Sequence, residues 1–260
     1  MKANGAVLWR GASLIDGAPL VVIAVGLASA SSNRKTGGMV QTYILRADMD
    51  PVAAVRTLQD VSICGDCKHR GNLSSPGQAR GRTCYVNIGQ GPLGVWRAWK
   101  RGRYADLHGL TDAIVACGLL RNVRLGTYGD PAAVPVEVWQ ALVHGASGHT
   151  GYTHQWRRCD PALRSLCMAS VDSENEALVA RLKGWRTFRV AFPGDLARLP
   201  VEAICPASSE AGKKLTCDRC LACNGASGRR GSIVIQAHGG AAVMAAVRRH
   251  PVTPYFARPS

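Results

Sequence analysis

Four cysteines between residues 205 and 223 carry the sharpest chemical signal in this chain. Cys217, Cys220 and Cys223 are each separated by two residues, and Cys205, followed by Pro206, stands a short loop upstream. A cuboidal iron-sulfur cluster needs a thiolate at each corner. Two-residue spacers let one tight turn reach neighbouring corners, and a distant Cys-Pro commonly supplies the fourth. Here the Cys-Pro precedes the run, whereas in the bacterial ferredoxin pattern it follows. Four thiolates in CxxC pairs also suit structural zinc. The set therefore reads as a 4Fe-4S site, with zinc as the alternative.

Cys64, Cys67 and Cys84 form a second constellation, with His69 close to the pair. Three thiolates can hold a cluster and leave one iron open to a substrate, or they can bind zinc with His69 as the fourth ligand. Cys117, Cys159 and Cys167 have no ligand-like spacing, and Cys117 and Cys167 lie in apolar segments that suit buried core thiols.

Positioning these groups requires a scaffold, and the chain alternates short β-branched runs with helix-length stretches, the pattern of parallel βα units. Strands are expected at 40–45, 60–63, 122–127, 150–154, 167–171, 187–190, 201–204 and 233–237, with a hairpin-like region before them. Helices are expected from Asp50-Pro51, over 110–120 and over 135–143, two of them with Pro near the start. The fold class that follows is α/β, a full or partial (β/α) barrel with cysteine-rich loops. One domain covers 1–260: a strand or hairpin extension at 1–38, a barrel-like core at 39–240 with cysteine loops at 64–84 and 205–223, and a C-terminal helix and tail at 241–260. Such barrels bind ligands at the carboxyl ends of their strands. The polar residues expected there include Asp130, His154, Arg189 and His238, the candidate substrate contacts.

The chain has 260 residues, with 32 Lys and Arg against 17 Asp and Glu, a net charge of +15. A sequence pI near 9.8 favours polyanionic partners. Trp96, Arg97, Trp99, Lys100, Arg101 and Arg103 interleave aromatic rings with cations, which suits single-stranded nucleic acid; an amphipathic helix with its tryptophans turned inward has the same sequence. Further cations stand at Lys213-Lys214, Arg229-Arg230 and Arg248-Arg249. The longest apolar run, 18–30, is short of the roughly 20 residues needed to span a bilayer and contains Pro19 and Gly26. Its Val21-Val22-Ile23 reads as a strand, which favours a cytoplasmic protein with no membrane partner. No GxSxG elbow, Walker loop, HExxH or dinucleotide fingerprint is present.

Asn33-Arg34-Lys35-Thr36-Gly37, the Cys64, Cys67 and Cys84-Tyr85 set, and Cys205-Pro206 with Cys217, Cys220 and Cys223 together resemble a family of bacteriophage proteins known by a numbered gene product. The likeness runs over most of the chain from about residue 33. It implies a phage-encoded metalloprotein of the infected host's cytoplasm, with a barrel similar to that of radical S-adenosylmethionine enzymes. Gly129-Asp130-Pro131 resembles that superfamily's Gly-Gly-Glu-Pro methionine-binding segment, with Asp in place of Glu, while its CxxxCxxC loop is missing here. Two functions follow as expectations. One is an iron-sulfur enzyme that uses S-adenosylmethionine or another activated substrate. The other is a nucleic-acid-binding module in which the metal stabilises the fold.

Overall fold

The computed structural model describes residues 3–31, 33–70, 82–191, 198–227 and 230–237. In chain order the elements are β1 (Gly5–Ala12), β2 (Pro19–Val25), β3 (Val40–Arg46), α1 (Pro51–Arg56), α2 (Val61–Cys64), α3 (Gly91–Lys100), β4 (Ala105–Asp106), α4 (Thr111–Gly118), β5 (Asn122–Tyr128), α5 (Val136–Val143), β6 (Gly148–Thr150), β7 (Tyr152–Thr153), β8 (Met168–Val171), α6 (Glu174–Leu182), β9 (Thr187–Ala191), β10 (Glu202–Ile204), α7 (Cys217–Cys220) and β11 (Ser232–Gln236).

These strands form two sheets in a mixed α/β fold. The first has the order β4-β1-β2-β3-β5-β6, and the second β10-β11-β9-β8-β7. Every pair in the second sheet is parallel. In the first, β1–β2 and β2–β3 are antiparallel and the remaining pairs parallel. Parallel neighbours need a crossover, and the helices supply most of them. Gly151 alone separates β6 from β7. Its N–H donates to the Cys223 carbonyl at 3.0 Å and its carbonyl accepts from Met168 N–H at 3.0 Å. A Cβ on Gly151 would lie 2.6 Å from Cys167 Sγ, so glycine is what lets the chain pass from one sheet to the other.

The helix starts follow local capping chemistry. Asp50 accepts from the Val52 and Ala53 N–H groups ahead of α1, with Pro51 at the first helical position, and Ser173 caps α6 through the Glu176 N–H. The core joins Leu8, Ile23, Ile44, Leu125, Leu142 and Trp139, all essentially without solvent exposure; Trp139 Nε1–H donates to the Pro131 carbonyl at 2.9 Å.

One expectation changes. The segment at 60–63 is helical rather than a strand: both edges of β3 are already taken by β2 and β5. The Asp60 carbonyl instead accepts the Ile63 and Cys64 N–H groups at 3.2 and 3.0 Å. Within the 1–38 segment, β1 and β2 form an antiparallel hairpin that joins the first sheet through β2, which pairs with β3 along Leu20 to Val25. The apolar run at 18–30 contributes β2, whose Val21 to Ala24 are fully buried. Among the described residues no helix is long and apolar enough to cross a membrane. The 241–260 segment and His238 lie outside the described residues.

Candidate metal centres around a shared cavity

Cys205 directly follows β10, its N–H donating to the Val234 carbonyl of β11 at 2.8 Å. Cys217 and Cys220 occupy the one-turn helix α7, after which Leu221 takes a left-handed conformation (φ 48°) and leads to Cys223. The loop 33–37 docks onto this turn. Cys217 N–H donates to the Lys35 carbonyl at 3.0 Å, Asp218 N–H to the Thr36 carbonyl at 3.2 Å, and Gly38 N–H to Asp218 Oδ2 at 3.1 Å. Gly37 sits at φ +68°, and a Cβ there would be 2.2 Å from the Asp218 carboxylate carbon, so the close approach requires glycine. On the other side Arg186 donates to the carbonyls of Ala222, Gly225 and Gly231 at 2.8, 2.7 and 2.7 Å. The turn carrying Cys217, Cys220 and Cys223 is thus held on one side by hydrogen bonds with the 33–38 loop and on the other by the Arg186 guanidinium.

Cys205, Cys220 and Cys223 pack with Met168, Ile233 and Ile235. Burial raises the thiol pKa values of Cys205 and Cys217 against the pull of Lys35, and raises that of Cys223 to about 12 despite a hydrogen bond with Tyr152. The thiols lie near enough that ionising one opposes ionising the next, and a bound metal reverses this by taking all of them as thiolates.

Arg124 on β5 is the cation beneath the quartet. It is buried, donates to the Tyr85 hydroxyl at 2.9 Å and lies 5.5 Å from the Tyr152 ring centre. Burial opposes its charge, but Tyr85, Tyr152, Cys217 and Cys223 together hold it protonated. Among the described residues no carboxylate pairs with it.

The second thiol group is held by a separate clamp. Asp60, fully buried, pairs with Arg70 at 2.8 Å and Arg82 at 3.6 Å, while Arg70 also donates to the Leu58 carbonyl at 2.7 Å. Gln155 donates to the Cys64 carbonyl at 3.2 Å, and Thr83 and Cys84 N–H groups return to the His69 carbonyl at 3.1 and 3.0 Å. Cys84 is thereby brought to the same cavity lining as Cys64 and Cys67, although it is distant in sequence. Burial raises all three thiol pKa values, with mutual repulsion adding to it at Cys64 and Cys84.

Both groups open on one cavity of about 1100 Å³, lined by Cys64, Cys67, Cys84, Cys205 and Cys217 among others. On its wall, His69 Nε2 lies 3.0 Å from Asp172 Oδ1 and His69 Nδ1 lies 2.7 Å from Thr83 Oγ1. His154 Nε2 is 3.7 Å from Cys67 Sγ. Burial works against a charged His69, yet the Asp172 hydrogen bond and charge outweigh it and raise its pKa; burial likewise opposes the Asp172 carboxylate, which His69 nevertheless holds at about 2.

Of the residues expected to contact substrate, Asp130 and His154 line the cavity. Asp130 Oδ1 accepts from Ala132 N–H at 3.0 Å and Oδ2 from His154 N–H at 2.7 Å, so it fixes the turn and the backbone that carries His154. Arg189 stands elsewhere, in a buried pair with Glu202 at 2.8 Å that ties β9 to β10. On α3, Trp96 and Trp99 pack against the core, Trp96 Nε1–H donating to the Arg46 carbonyl at 3.1 Å. Lys100 lies across both rings at 5.3 and 5.1 Å, and Arg97, Lys100, Arg101 and Arg103 are exposed. The inward-facing amphipathic arrangement is the one observed.

Arg124, Thr83, Lys68 and Glu176 are site residues that sequence reasoning missed. Arg124 sits inside a β-strand with no motif around it, and a buried cation is visible only once its neighbours are known. A scan against protein-family models, a search of curated proteins and a search of solved structures each find no match to this chain.

Proposed function

We propose that the chain is an iron-sulfur protein whose cavity presents a reactive metal centre to a substrate. A 4Fe-4S cluster on Cys205, Cys217, Cys220 and Cys223 forms one side, and Cys64, Cys67 and Cys84 hold a second cluster with one position open. The observation that carries this reading is the convergence of the two thiol groups, distant in sequence, on one cavity. The donor chemistry fits. Lys35 and Arg124 offset the negative charge of a tetrathiolate cluster, and among the described residues Arg124 has no carboxylate as a competing partner. Spacing fits too. Two thiolates on one zinc lie about 3.8 Å apart, given Zn–S bonds of about 2.3 Å. Among the described residues no three thiols have sulfurs all within 4.8 Å of one another, and a cuboidal cluster sets its corners wider. Such clusters supply electrons, or an open iron that binds substrate.

The strand layout supports the partial barrel of the resemblance, with Asp130 and His154 just beyond β5 and β7. S-adenosylmethionine is the ligand this reading assigns to the open position. The exposed cations at the end of α3 support nucleic acid as the macromolecular partner. The test is electron paramagnetic resonance of the reduced, anaerobic protein with and without S-adenosylmethionine. A changed cluster signal in the wild type, absent in Cys84→Ser, supports the reading; an unchanged signal removes S-adenosylmethionine from it. In parallel, retention on single-stranded oligonucleotide should fall steeply with salt, and salt-independent or absent binding removes the nucleic-acid partner.

A further inference from the structure

We infer that His69, His154 and Asp172 form a separate site for a single divalent first-row transition-metal ion, on the cavity wall beside the Cys64–Cys67–Cys84 group. Among the described residues these three are the one His, Cys, Asp or Glu set whose ligand atoms all lie within 4.8 Å of one another. Two imidazoles and one carboxylate on one face, with further positions open, are the donor set of mononuclear iron(II) and related sites. All three line the cavity, so an ion held by them keeps its remaining positions toward that space.

The surrounding groups are those such a site needs. His69 Nδ1 is engaged by Thr83 Oγ1 at 2.7 Å, which fixes the ring and directs Nε2 toward Asp172. Orienting a ligating imidazole through its other nitrogen is the usual outer-shell arrangement. The 3.0 Å between His69 Nε2 and Asp172 Oδ1 is a hydrogen-bond length; it is also the separation of two ligands about 2.1 Å from one ion at a right angle. Lys68 does not occupy the position: Glu176 holds it at 2.9 Å, leaving it 4.0 Å from Asp172 Oδ2. Glu176 also accepts from the Asp172 N–H at 2.9 Å, so the carboxylate is anchored at its backbone as well. His154 is positioned by the Asp130 bond to its N–H. The three ligands come from the turn after α2, the end of β7 and the end of β8, and no sequence spacing links them.

The inference does not depend on an iron-sulfur cluster at the quartet. The experiment is titration of the full-length protein, purified with its native metals, with cobalt(II), followed by visible absorption and equilibrium dialysis. Wild-type protein and the Cys217→Ser and Cys84→Ser variants are expected to take up one equivalent with a ligand-field spectrum. Asp172→Asn and His154→Gln keep side-chain size and hydrogen-bonding capacity, and each is expected to weaken uptake at least tenfold. Equal uptake by the wild type, Asp172→Asn and His154→Gln, or no uptake by a folded wild type, would overturn the inference. Loss of uptake only in Cys217→Ser or Cys84→Ser would place the cobalt on thiolates and overturn it equally.

Discussion

At the scale of single residues, Arg124 separates the iron-sulfur account from a merely cysteine-rich core. A buried guanidinium without a carboxylate is costly unless another anion balances it, and here its neighbours are Tyr85, Tyr152 and the thiols of Cys217 and Cys223, which become anionic when they take a metal. Arg124→Met is therefore expected to lower iron retention and shift the cluster's reduction potential negative, with Arg124→Lys intermediate, as iron analysis and a redox titration would show. Unchanged iron and potential in Arg124→Met would deny the cation this part. His149 on β6 gives a second test. Burial lowers its pKa, outweighing the Leu166 and Asn224 backbone groups that favour the charged ring. The folded state thus resists protonation of a ring that the unfolded chain protonates below about pH 6.5. The contribution is fully present above that value and is lost as pH falls through the lowered folded value. His69, with its raised pKa, titrates with the opposite sign, so the comparison must be with His149→Leu. Denaturant unfolding from pH 7.5 to 5 should show a smaller loss of stability in that variant than in the wild type; parallel curves would contradict the assignment.

Among the elements, β9 and β10 show how position decides the meaning of a charged residue. Arg189, expected at a strand end where a barrel binds its ligand, lies in the middle of β9, and its guanidinium meets Glu202 of β10. Arg189→Met leaves Glu202 buried and unpaired and should cost about 3–5 kcal/mol, whereas the Arg189→Met, Glu202→Met double variant should recover most of that. Iron per folded chain should stay unchanged in both. A loss of bound ligand without a loss of stability would return Arg189 to the substrate site. Much of this architecture is legible from the chain. Asp50-Pro51 marks α1, the β-branched runs mark β2, β3 and β11, and the CxxCxxC spacing marks the quartet. The segment at 60–63 is not legible, since its strand-like composition is overruled by the occupied edges of β3. Nor is the His69, His154 and Asp172 group, whose members come from three elements that only the parallel strand order brings together. The tryptophans of α3 suit stacking and packing equally well by type; the core they face decides for packing.

For the whole molecule, the two sheets meet at Gly151, and the same glycine donates to the Cys223 carbonyl. The loop 33–37, which leads into β3 of the first sheet, docks onto α7, which lies between β10 and β11 of the second. A metal on the quartet therefore ties both sheets, and thiolate-metal bonds contribute folding free energy directly. Chelation or oxidative loss of the metal should lower Tm of the whole chain in a single cooperative step rather than release one loop. The most direct measurement is iron, acid-labile sulfide and zinc per chain on protein purified without oxygen, in the wild type and in a Cys217→Ser, Cys220→Ser variant. The account expects about four irons and four sulfides for each cluster, with four of each lost in the variant. Zinc in place of iron, without sulfide, or iron and sulfide unchanged by the double substitution, would contradict it.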